Sequence, residues 1–275
     1  MKWPLSHRPI SDRKLSLYNQ FYLYASKATH VDHTIVWGTE IDADSLHVFL
    51  RERNRDGKML IMPVHALIRA TALALEQFPE LNVRLVGRRI YAFRDVHIRM
   101  AFLHRRSHEI DLMVIGPEFL KSLEKIALSV WDHLLQAGRG KLARDRDLAR
   151  LRKFSGFWMQ RIFRAYEFLD RHFSLPILGR LDVTRNSCVT VNDLSFSGAP
   201  PLRSYKPSRF PSQSDSFNLT IGAVEKKVVE RNGQFVSVNV IPLFVRADHR
   251  VVDAYQLGRF IGVVRDLLNN PERLD

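Results

Sequence analysis

Cysteine and long apolar runs are the two features that this sequence most lacks. Cys188 is the one cysteine among 275 residues, which excludes an intramolecular disulfide framework and a zinc site built from several thiolates. No apolar run is long enough to cross a bilayer, and no apolar segment follows Met1 as a signal peptide would require. We therefore expect a cytoplasmic protein, with a peripheral position on a membrane as the alternative.

The sequence also lacks a recognisable metal-binding motif. His30 and His33 in HVDH, and His104 and His108 in HRRSH, have spacings that metal ligands can have. A zinc site would need further ligands in a defined pattern, such as HExxH on a helix. Neither pair belongs to such a pattern, so we expect no metal site.

Positive charge, in contrast, is abundant. Lys and Arg number 42 against 29 Asp and Glu, which gives a formal net charge of +13. Hydrophobic residues make up 45% of the chain, which is enough for a sizeable core. The charge predicts an anionic partner, namely cofactor phosphates, an anionic membrane surface or nucleic acid. Nucleic acid is the least favoured, because the sequence has no recognisable groove-reading helix or base-stacking motif.

Helical and strand periodicities alternate along the chain. Helices are predicted at 43–56, at 63–78 behind Pro63, at 116–138 behind Pro117, and after Asp253. Strands are predicted at 33–42, 88–105 and 217–247, with Asn232-Gly233 as a type I′ hairpin turn. This order predicts an α/β or α+β class with a mixed sheet. We expect a single domain over residues 1–275, without internal repeats.

Residues 144–181 interrupt this order with a basic and aromatic segment of helical period. Seven apolar residues recur on one helical face, with basic residues between them: Leu151, Phe154, Trp158, Ile162, Tyr166, Leu169 and Phe173. A helix packed against its own domain would have this pattern. An interfacial helix that binds lipid headgroups, or a hydrophobic lid, would have it as well. The sequence leaves both interpretations open.

The C-terminal stretch FVRADHRVVDAYQLGRF places polar residues where a strand gives way to a helix. Asp248 and His249 follow a β-branched run, and Asp253 precedes an apolar helical repeat. A histidine at such a junction can reach a cleft, and its pKa near neutrality suits a general base. A single histidine near an aspartate is also common in structural roles, so position alone leaves both roles open.

This stretch resembles the DHRxxDG motif of the catalytic domain of 2-oxo acid dehydrogenase acyltransferases, and is similar to the HxxxDG motif of chloramphenicol acetyltransferase. Four other segments resemble the same family: MPVHALIRATALALEQFPELN, QAGRGKL, SCVTVNDLS and FNLTIGAVEKKVVERNGQ. The resemblance covers most of the chain apart from residues 144–181. It implies a chloramphenicol acetyltransferase-like fold, with a mixed β-sheet flanked by helices, assembled as a homotrimer or as a larger cage of trimers.

The resemblance also implies an acyltransferase. An acyl group would move between a thioester donor (acyl-CoA, acyl-carrier protein or lipoyl) and a thiol or hydroxyl acceptor, in a channel between subunits. CoA or the carrier would be a substrate, and no cofactor would be bound permanently. No lipoyl domain precedes this sequence, so we expect a stand-alone enzyme whose donor arrives by diffusion. The alternative is a catalytically inactive trimeric scaffold.

The same resemblance assigns roles to individual residues. His249 corresponds to the catalytic base, and Asn192 stands where the family has an oxyanion-stabilising serine, with Ser195 and Ser197 as alternative donors. Asp253 corresponds to an aspartate that braces the site by pairing with an arginine near the N-terminus, here Arg13 in SDRKL. Ala254 replaces the glycine of the motif, which would alter the loop if that position needs a positive φ. Residues 144–181 would provide an apolar wall for a longer acyl chain, or a surface for an anionic membrane.

Overall fold

A mixed sheet of seven strands is the centre of the computed structural model, which describes residues 7–9, 33–86, 89–103, 110–140, 156–173, 187–195 and 215–275. Its strands are β2 (Thr34–Asp42), β5 (Ile98–Leu103), β6 (Ile110–Ile115), β7 (Val189–Asp193), β8 (Phe217–Ile221), β9 (Glu225–Arg231) and β10 (Gln234–Asp248). They lie in the order β2-β10-β8-β7-β5-β6, and β9 pairs with the first half of β10. Strand β7 runs parallel to β5 and β8, and the other pairs are antiparallel. The predicted mixed sheet is confirmed.

A second, smaller sheet is antiparallel throughout. It contains β1 (His7–Pro9), β4 (Arg89–Phe93) and β3 (Val83–Val86), in that order. The Ser216 hydroxyl donates to the Val83 carbonyl at 2.5 Å, which links this sheet to the residue just before β8.

Five helices belong to the described residues: α1 (Ala43–Arg53), α2 (Pro63–Gln77), α3 (Leu123–Gly138), α4 (Gly156–Phe173) and α5 (Ala254–Asn269). Single 3₁₀ turns follow α2 at Pro79–Leu81 and α5 at Pro271–Leu274. Helix α2 begins at Pro63 as predicted, where the missing N–H would have had no partner within the helix. None of the described helices combines the length and the apolar character that a membrane span requires.

The predicted start of the third helix is wrong. Pro117 does not open it: the helix begins at Leu123, because the Ser122 hydroxyl accepts a hydrogen bond from Lys125 N at 3.3 Å and so caps it. Residues 116–120 form a turn instead, in which Phe119 N donates to Gly116 O at 3.0 Å.

The long strand β10 connects a hairpin to the centre of the sheet. Residues 234–240 pair with β9, and residues 240–248 pair with β2. Asn232 and Gly233 join β9 to β10 with φ values of 53° and 76°, the positive pair that a type I′ turn requires. The predicted hairpin turn is thus confirmed, and β10 ends at Asp248, immediately before His249.

The sheet has an apolar face and a polar face where β7, β8 and β10 meet. Leu243, Val245 and Ala247 are at most 1% exposed and share one core cluster with Leu257 and Phe260 of α5. Side chains directly opposite each other on paired strands lie on the same face. The registers therefore place the following polar residues together on the opposite face: Thr190, Asn192, Asn218, Thr220 and Arg246.

A buried ion pair anchors this polar face. Arg99 of β5 is 1% exposed and contacts the carboxylate of Asp215, while Thr190 Oγ1 donates to Asp215 Oδ2 at 2.8 Å. Burial acts to raise the pKa of Asp215, but Arg99 and the Thr190 hydroxyl outweigh it and hold that pKa below its ordinary value. Asp215, two residues before β8, is thereby tied to β5 and β7.

Candidate active site

The turn between β10 and α5 is held by Asp248. Its Oδ1 accepts hydrogen bonds from Arg250 N at 3.0 Å and from Arg250 Nε at 2.9 Å, and its Oδ2 lies 2.6 Å from an Arg250 guanidinium nitrogen. Both side chains are about 5% exposed or less. The Asp248 carbonyl also accepts from Val251 N and Val252 N at 3.0 and 3.2 Å. Arg250, for which the sequence pattern predicted no role, fixes the backbone around His249 together with Asp248.

His249 is half-buried, and its ring is oriented by a backbone contact. Nδ1 lies 3.0 Å from the Val252 carbonyl oxygen, and the His249 N–H donates to His33 O at 2.6 Å. A carbonyl oxygen can only accept, so Nδ1 carries the hydrogen and the lone pair of the neutral ring is on Nε2. This is the tautomer that a general base needs if its substrate approaches Nε2.

Asp253 caps the helix that follows the turn. Its Oδ1 accepts from Gln256 N at 2.7 Å, and Gln256 Oε1 accepts from Asp253 N at 3.3 Å, which together form a capping box. The signal for it was present in the sequence, since an aspartate followed three residues later by glutamine is typical of a helix start. The pairing of Asp253 with Arg13 stays a prediction, because Arg13 lies outside the described residues.

Ala254 does not disturb this turn. It is the first residue of α5, and among the described non-glycine residues only Asn232 has a positive φ. The glycine of the family motif is therefore not needed here for its backbone freedom. The replacement of that glycine by Ala254 therefore gives no support to an inactive scaffold.

Asn192 lies near the end of β7, and its amide is bound to the neighbouring strand. Its Nδ2 is 2.7 Å from Asn218 Oδ1 and 3.2 Å from Thr220 Oγ1. Both N–H groups of the amide are thus directed at β8. A role of Asn192 as an oxyanion donor stays a prediction, and it would require one of these contacts to be exchanged for the oxyanion.

The two alternative oxyanion donors, Ser195 and Ser197, differ because the structure describes only Ser195. The Ser195 hydroxyl donates to Asp193 Oδ1 at 2.5 Å, and Ser195 N donates to the same oxygen at 2.9 Å. Burial raises the pKa of Asp193, while these two hydrogen bonds from Ser195 act to lower it. The Ser195 hydrogen is therefore committed to Asp193, and Ser197 lies outside the described residues.

His249 and Asn192 of one chain do not lie together. Asn192 is level with Thr220 on β8, and Thr220 is level with Phe244 on β10. His249 comes five residues after Phe244, which corresponds to about 16 Å along the strand at about 3.3 Å per residue. Asn192 is also two strands to the side. A single reacting group cannot contact both residues of the same chain.

A separate groove lies among the helices. A groove of about 930 Å³ is lined by residues of α1, α3 and the loop before α2, among them Val48, Leu60 and Trp131. None of the predicted site residues lines it. Within the described part of the chain, no group of three or more His, Cys, Asp and Glu side chains could hold a metal ion.

The comparison with protein families matches the C-terminal part of the chain. Residues 213–275 match the sequence model of the 2-oxoacid dehydrogenases acyltransferase (catalytic domain). The match includes β8 to α5 and therefore His249 and Asp253. A search of curated protein sequences gives no match.

Solved structures resemble the chain over nearly its whole length. A probable dihydrolipoamide acetyltransferase from Listeria monocytogenes has 19% identity and a TM-score of 0.62, with 86% of this chain and 84% of that chain covered. The Azotobacter vinelandii dihydrolipoamide acetyltransferase has 17% identity and a TM-score of 0.63, with 88% and 83% covered. Chloramphenicol acetyltransferase has 12% identity and a TM-score of 0.54, with 95% and 99% covered. At these identities the likeness establishes the fold.

Sequence and fold agree on the class of protein. The mixed sheet flanked by helices is the one predicted, and it is the fold of the acyltransferase catalytic cores and of chloramphenicol acetyltransferase. The last part of the chain carries the sequence of the same family. The resemblance is confirmed: residues 213–275 match the acyltransferase catalytic-domain family, and the chain has the chloramphenicol acetyltransferase-like fold.

Proposed function

We propose that the protein transfers an acyl group from a thioester donor to a thiol or hydroxyl acceptor, with His249 as the general base. The main support is the contact of His249 Nδ1 with the Val252 carbonyl, which leaves the basic lone pair on Nε2. Nε2 would take the proton of the acceptor's S–H or O–H while the acceptor's sulfur or oxygen bonds to the thioester carbon. The tetrahedral oxyanion would then collapse, the carbon–sulfur bond would break, and the leaving thiolate would take the proton from the imidazolium.

A solved relative supports the choice of His249. The Azotobacter vinelandii structure was part of an investigation into the catalytic roles of a serine, a histidine and an asparagine, and the last two are four residues apart. His249 and Asp253 have the same spacing. By this likeness His249 would be the catalytic histidine, and Asp253 would support it from the start of α5.

We also propose that a second copy of the chain completes the site. The separation of His249 from Asn192 within one chain supports this, because Asn192 of a neighbouring copy would have to approach His249. A closed homotrimer would then have three equivalent sites, one at each interface. A larger cage of trimers would keep the same contacts, and light scattering would distinguish the two assemblies. A monomer at micromolar concentration would contradict both.

Charge favours a phosphate-bearing donor. The net charge of +13 suits acyl-CoA or the phosphopantetheine arm of an acyl-carrier protein better than an uncharged lipoyl group. A second candidate function is an inactive trimeric scaffold. The contacts of Asn192 with β8 favour it, because both N–H groups of the amide are bound there, and donation to an oxyanion would require the longer contact, to Thr220 Oγ1 at 3.2 Å, to be given up.

The deciding experiment measures thiol release from a panel of acyl-CoA donors, from acetyl to long-chain, with thiol and hydroxyl acceptors. We expect wild-type release to exceed that of His249→Ala and His249→Gln by more than about 100-fold. His47→Ala, which changes a histidine in the distant groove on α1, is the matched control and should keep wild-type activity. Equal release by wild type and His249→Ala would refute the base, and no release with any donor would favour the scaffold.

Helix α4 supports a further partner, an anionic membrane surface or the acyl chain of a long donor. Its exposed aromatic side chains are 57–58% exposed: Phe157, Trp158, Phe168 and Phe173. The Arg161 guanidinium lies 4.4 Å from the centre of the Phe157 ring, and Arg164 is exposed on the same side of the helix. Arginines beside exposed aromatics are typical of a helix that lies in the headgroup region.

Sedimentation with liposomes tests this partner. We expect binding to anionic vesicles at low salt, less binding at high salt because the attraction is screened, and little binding to zwitterionic vesicles. Replacement of Arg161 and Arg164 by Gln should weaken the binding, while the same change at Arg265 of α5 should not. No binding at low salt and no preference for long-chain donors would contradict both roles of α4.

A further inference from the structure

A group of three polar side chains occupies the polar face of the sheet next to the candidate site. Asn218 and Thr220 stand two residues apart on β8, so both point to the face on which Asn192 of β7 lies. Thr220 Oγ1 and Asn218 Oδ1 are 3.2 Å apart, and the Asn192 amide contacts both at 3.2 and 2.7 Å. Each member of the group therefore contacts the other two.

The group lies on a central strand of the sheet, with its hydroxyl buried. Strand β8 is central, with β10 on one side and β7 on the other, and its remaining residues Phe217, Leu219 and Ile221 are at most 2% exposed. Thr220 is only 7% exposed. Asn218 and Asn192 are half-buried, and burial of the Thr220 hydroxyl is unfavourable unless it is hydrogen-bonded, as it is here to both amides.

Their geometry fixes the plane of the Asn192 amide. An asparagine side chain rotates broadly about its last torsion, so one hydrogen bond would leave the amide plane loosely defined. Two partners on one strand define it, and the parallel ladder between residues 189–193 and 217–221 holds that strand in place. Because Asp215 ties the start of β8 to Arg99 and Thr190, the support extends across three strands.

We infer that Asn218 and Thr220 are positioning residues, which hold the Asn192 side chain in the orientation that the reaction uses. This inference rests on the proposed function, in which Asn192 contacts the reacting group: the N–H bound to Asn218 Oδ1 at 2.7 Å would stay in place, and the N–H at 3.2 Å from Thr220 Oγ1 would donate to the oxyanion instead, while Thr220 continues to hold Asn218. Asn218 and Thr220 would act only through Asn192. Misplacement of a contacting group by about 1 Å can reduce a rate by up to about 100-fold, so their loss should lower kcat while leaving the KM for the thioester donor nearly unchanged.

A double-mutant cycle on the full chain tests the inference. Asn192→Ala should lower kcat by about 100-fold, in the range for loss of one oxyanion donor, and Asn218→Ala by about tenfold. In the Asn192→Ala background, Asn218→Ala should change kcat by less than about twofold, because its effect passes through the missing side chain. Thr220→Val keeps the shape of the side chain and serves if Asn218→Ala folds poorly. Thr71→Val in α2 makes the same change at a buried threonine whose hydroxyl donates to Leu67 O within its own helix, and it should leave kcat unchanged.

The possible outcomes separate this inference from the proposed function. If wild type is active, His249→Ala is inactive, and Asn218→Ala and Thr220→Val lower kcat equally with and without Asn192, the function stands and the positioning role is refuted. If Asn218→Ala and Thr220→Val have the kcat of wild type, the positioning role is refuted as well. If wild type transfers no acyl group from any donor, the proposed function fails and this inference fails with it.

Discussion

Removing the carboxylate of Asp253 should destabilise the protein by an amount that identifies its role. In the structure Asp253 Oδ1 accepts from Gln256 N at 2.7 Å at the start of α5. That helix buries six apolar side chains against the core: Leu257, Phe260, Ile261, Val264, Leu267 and Leu268. Loss of an N-cap acceptor costs about 1 kcal/mol, and loss of the negative charge at the helix N-terminus adds about 0.3–1 kcal/mol. We therefore expect Asp253→Ala to lower the free energy of unfolding by about 1–2 kcal/mol.

A buried ion pair of Asp253 with the predicted partner Arg13 would make the loss in free energy of unfolding larger. If Asp253 also forms a buried ion pair with Arg13, breaking it should cost about 3–5 kcal/mol, and Arg13→Ala should cost a similar amount. Asp253→Asn separates the two roles, because asparagine caps a helix about as well as aspartate but cannot pair with an arginine as an anion. With the cap alone, Asp253→Asn should lose only the charge contribution of about 0.3–1 kcal/mol.

The assay is a urea or thermal unfolding series at one protein concentration, since assembly contributes to the apparent stability. A loss of 1 kcal/mol should lower Tm by about 2–4 °C in a chain of this size. Asp42→Ala is the matched control, because Asp42 Oδ1 caps α1 by accepting from Asp44 N at 3.0 Å and Ser45 N at 3.2 Å. An Asp253→Asn variant as unstable as Asp253→Ala would refute the capping account, and an Arg13→Ala melt equal to wild type would remove Arg13 as the partner.

Three further predictions concern buried groups. Asp248→Ala leaves the buried Arg250 guanidinium without its carboxylate, so it should lower the free energy of unfolding by about 3–5 kcal/mol in a urea series, and a loss below 1 kcal/mol would contradict the pair. Burial lowers the pKa of His65 to about 4, against 6.5 in the unfolded chain. Between these two pH values the unfolded chain therefore binds more protons than the folded one. The free energy of unfolding should fall by about 3 kcal/mol as the pH drops from about 6.5 to 4. His65→Gln should flatten that part of a pH series of urea titrations, and an unchanged slope would contradict the assignment. Burial raises the pKa of Cys188 to about 12, so a thiol reagent should label this residue only after unfolding. Rapid labelling of the native protein would contradict the burial of Cys188. It would also disturb the thiol-release assay.

Much of the fold could be predicted from local patterns. Strand β2 and helices α1, α2 and α5 follow apolar periodicities with clear boundary residues, so short-range physics determines them. The start of α3 was missed because a proline at the first helical position and a serine cap were both available within six residues. In the structure Ser122 is the cap, because its hydroxyl accepts a hydrogen bond from Lys125 N.

The site was predictable only in part. The motif identified His249, but the hydrogen on its Nδ1 depends on the turn that brings the Val252 carbonyl within 3.0 Å. The contacts of Asn192 with Asn218 and Thr220 join residues 26 and 28 positions apart, through a strand register that local patterns do not define. The same registers set the separation of His249 from Asn192, which no local signal could give.

The central claim is that acyl transfer needs His249 of one copy and Asn192 of another, and mixed trimers test it most directly. His249→Ala and Asn192→Ala chains with different affinity tags would be co-expressed and purified on both tags in succession, so that every trimer contains both variants. In a closed ring, one of the three interfaces would then pair an intact His249 with an intact Asn192, which predicts about one third of wild-type kcat from two variants that are each nearly inactive alone. Mixed trimers no more active than their parents would contradict a site shared between copies.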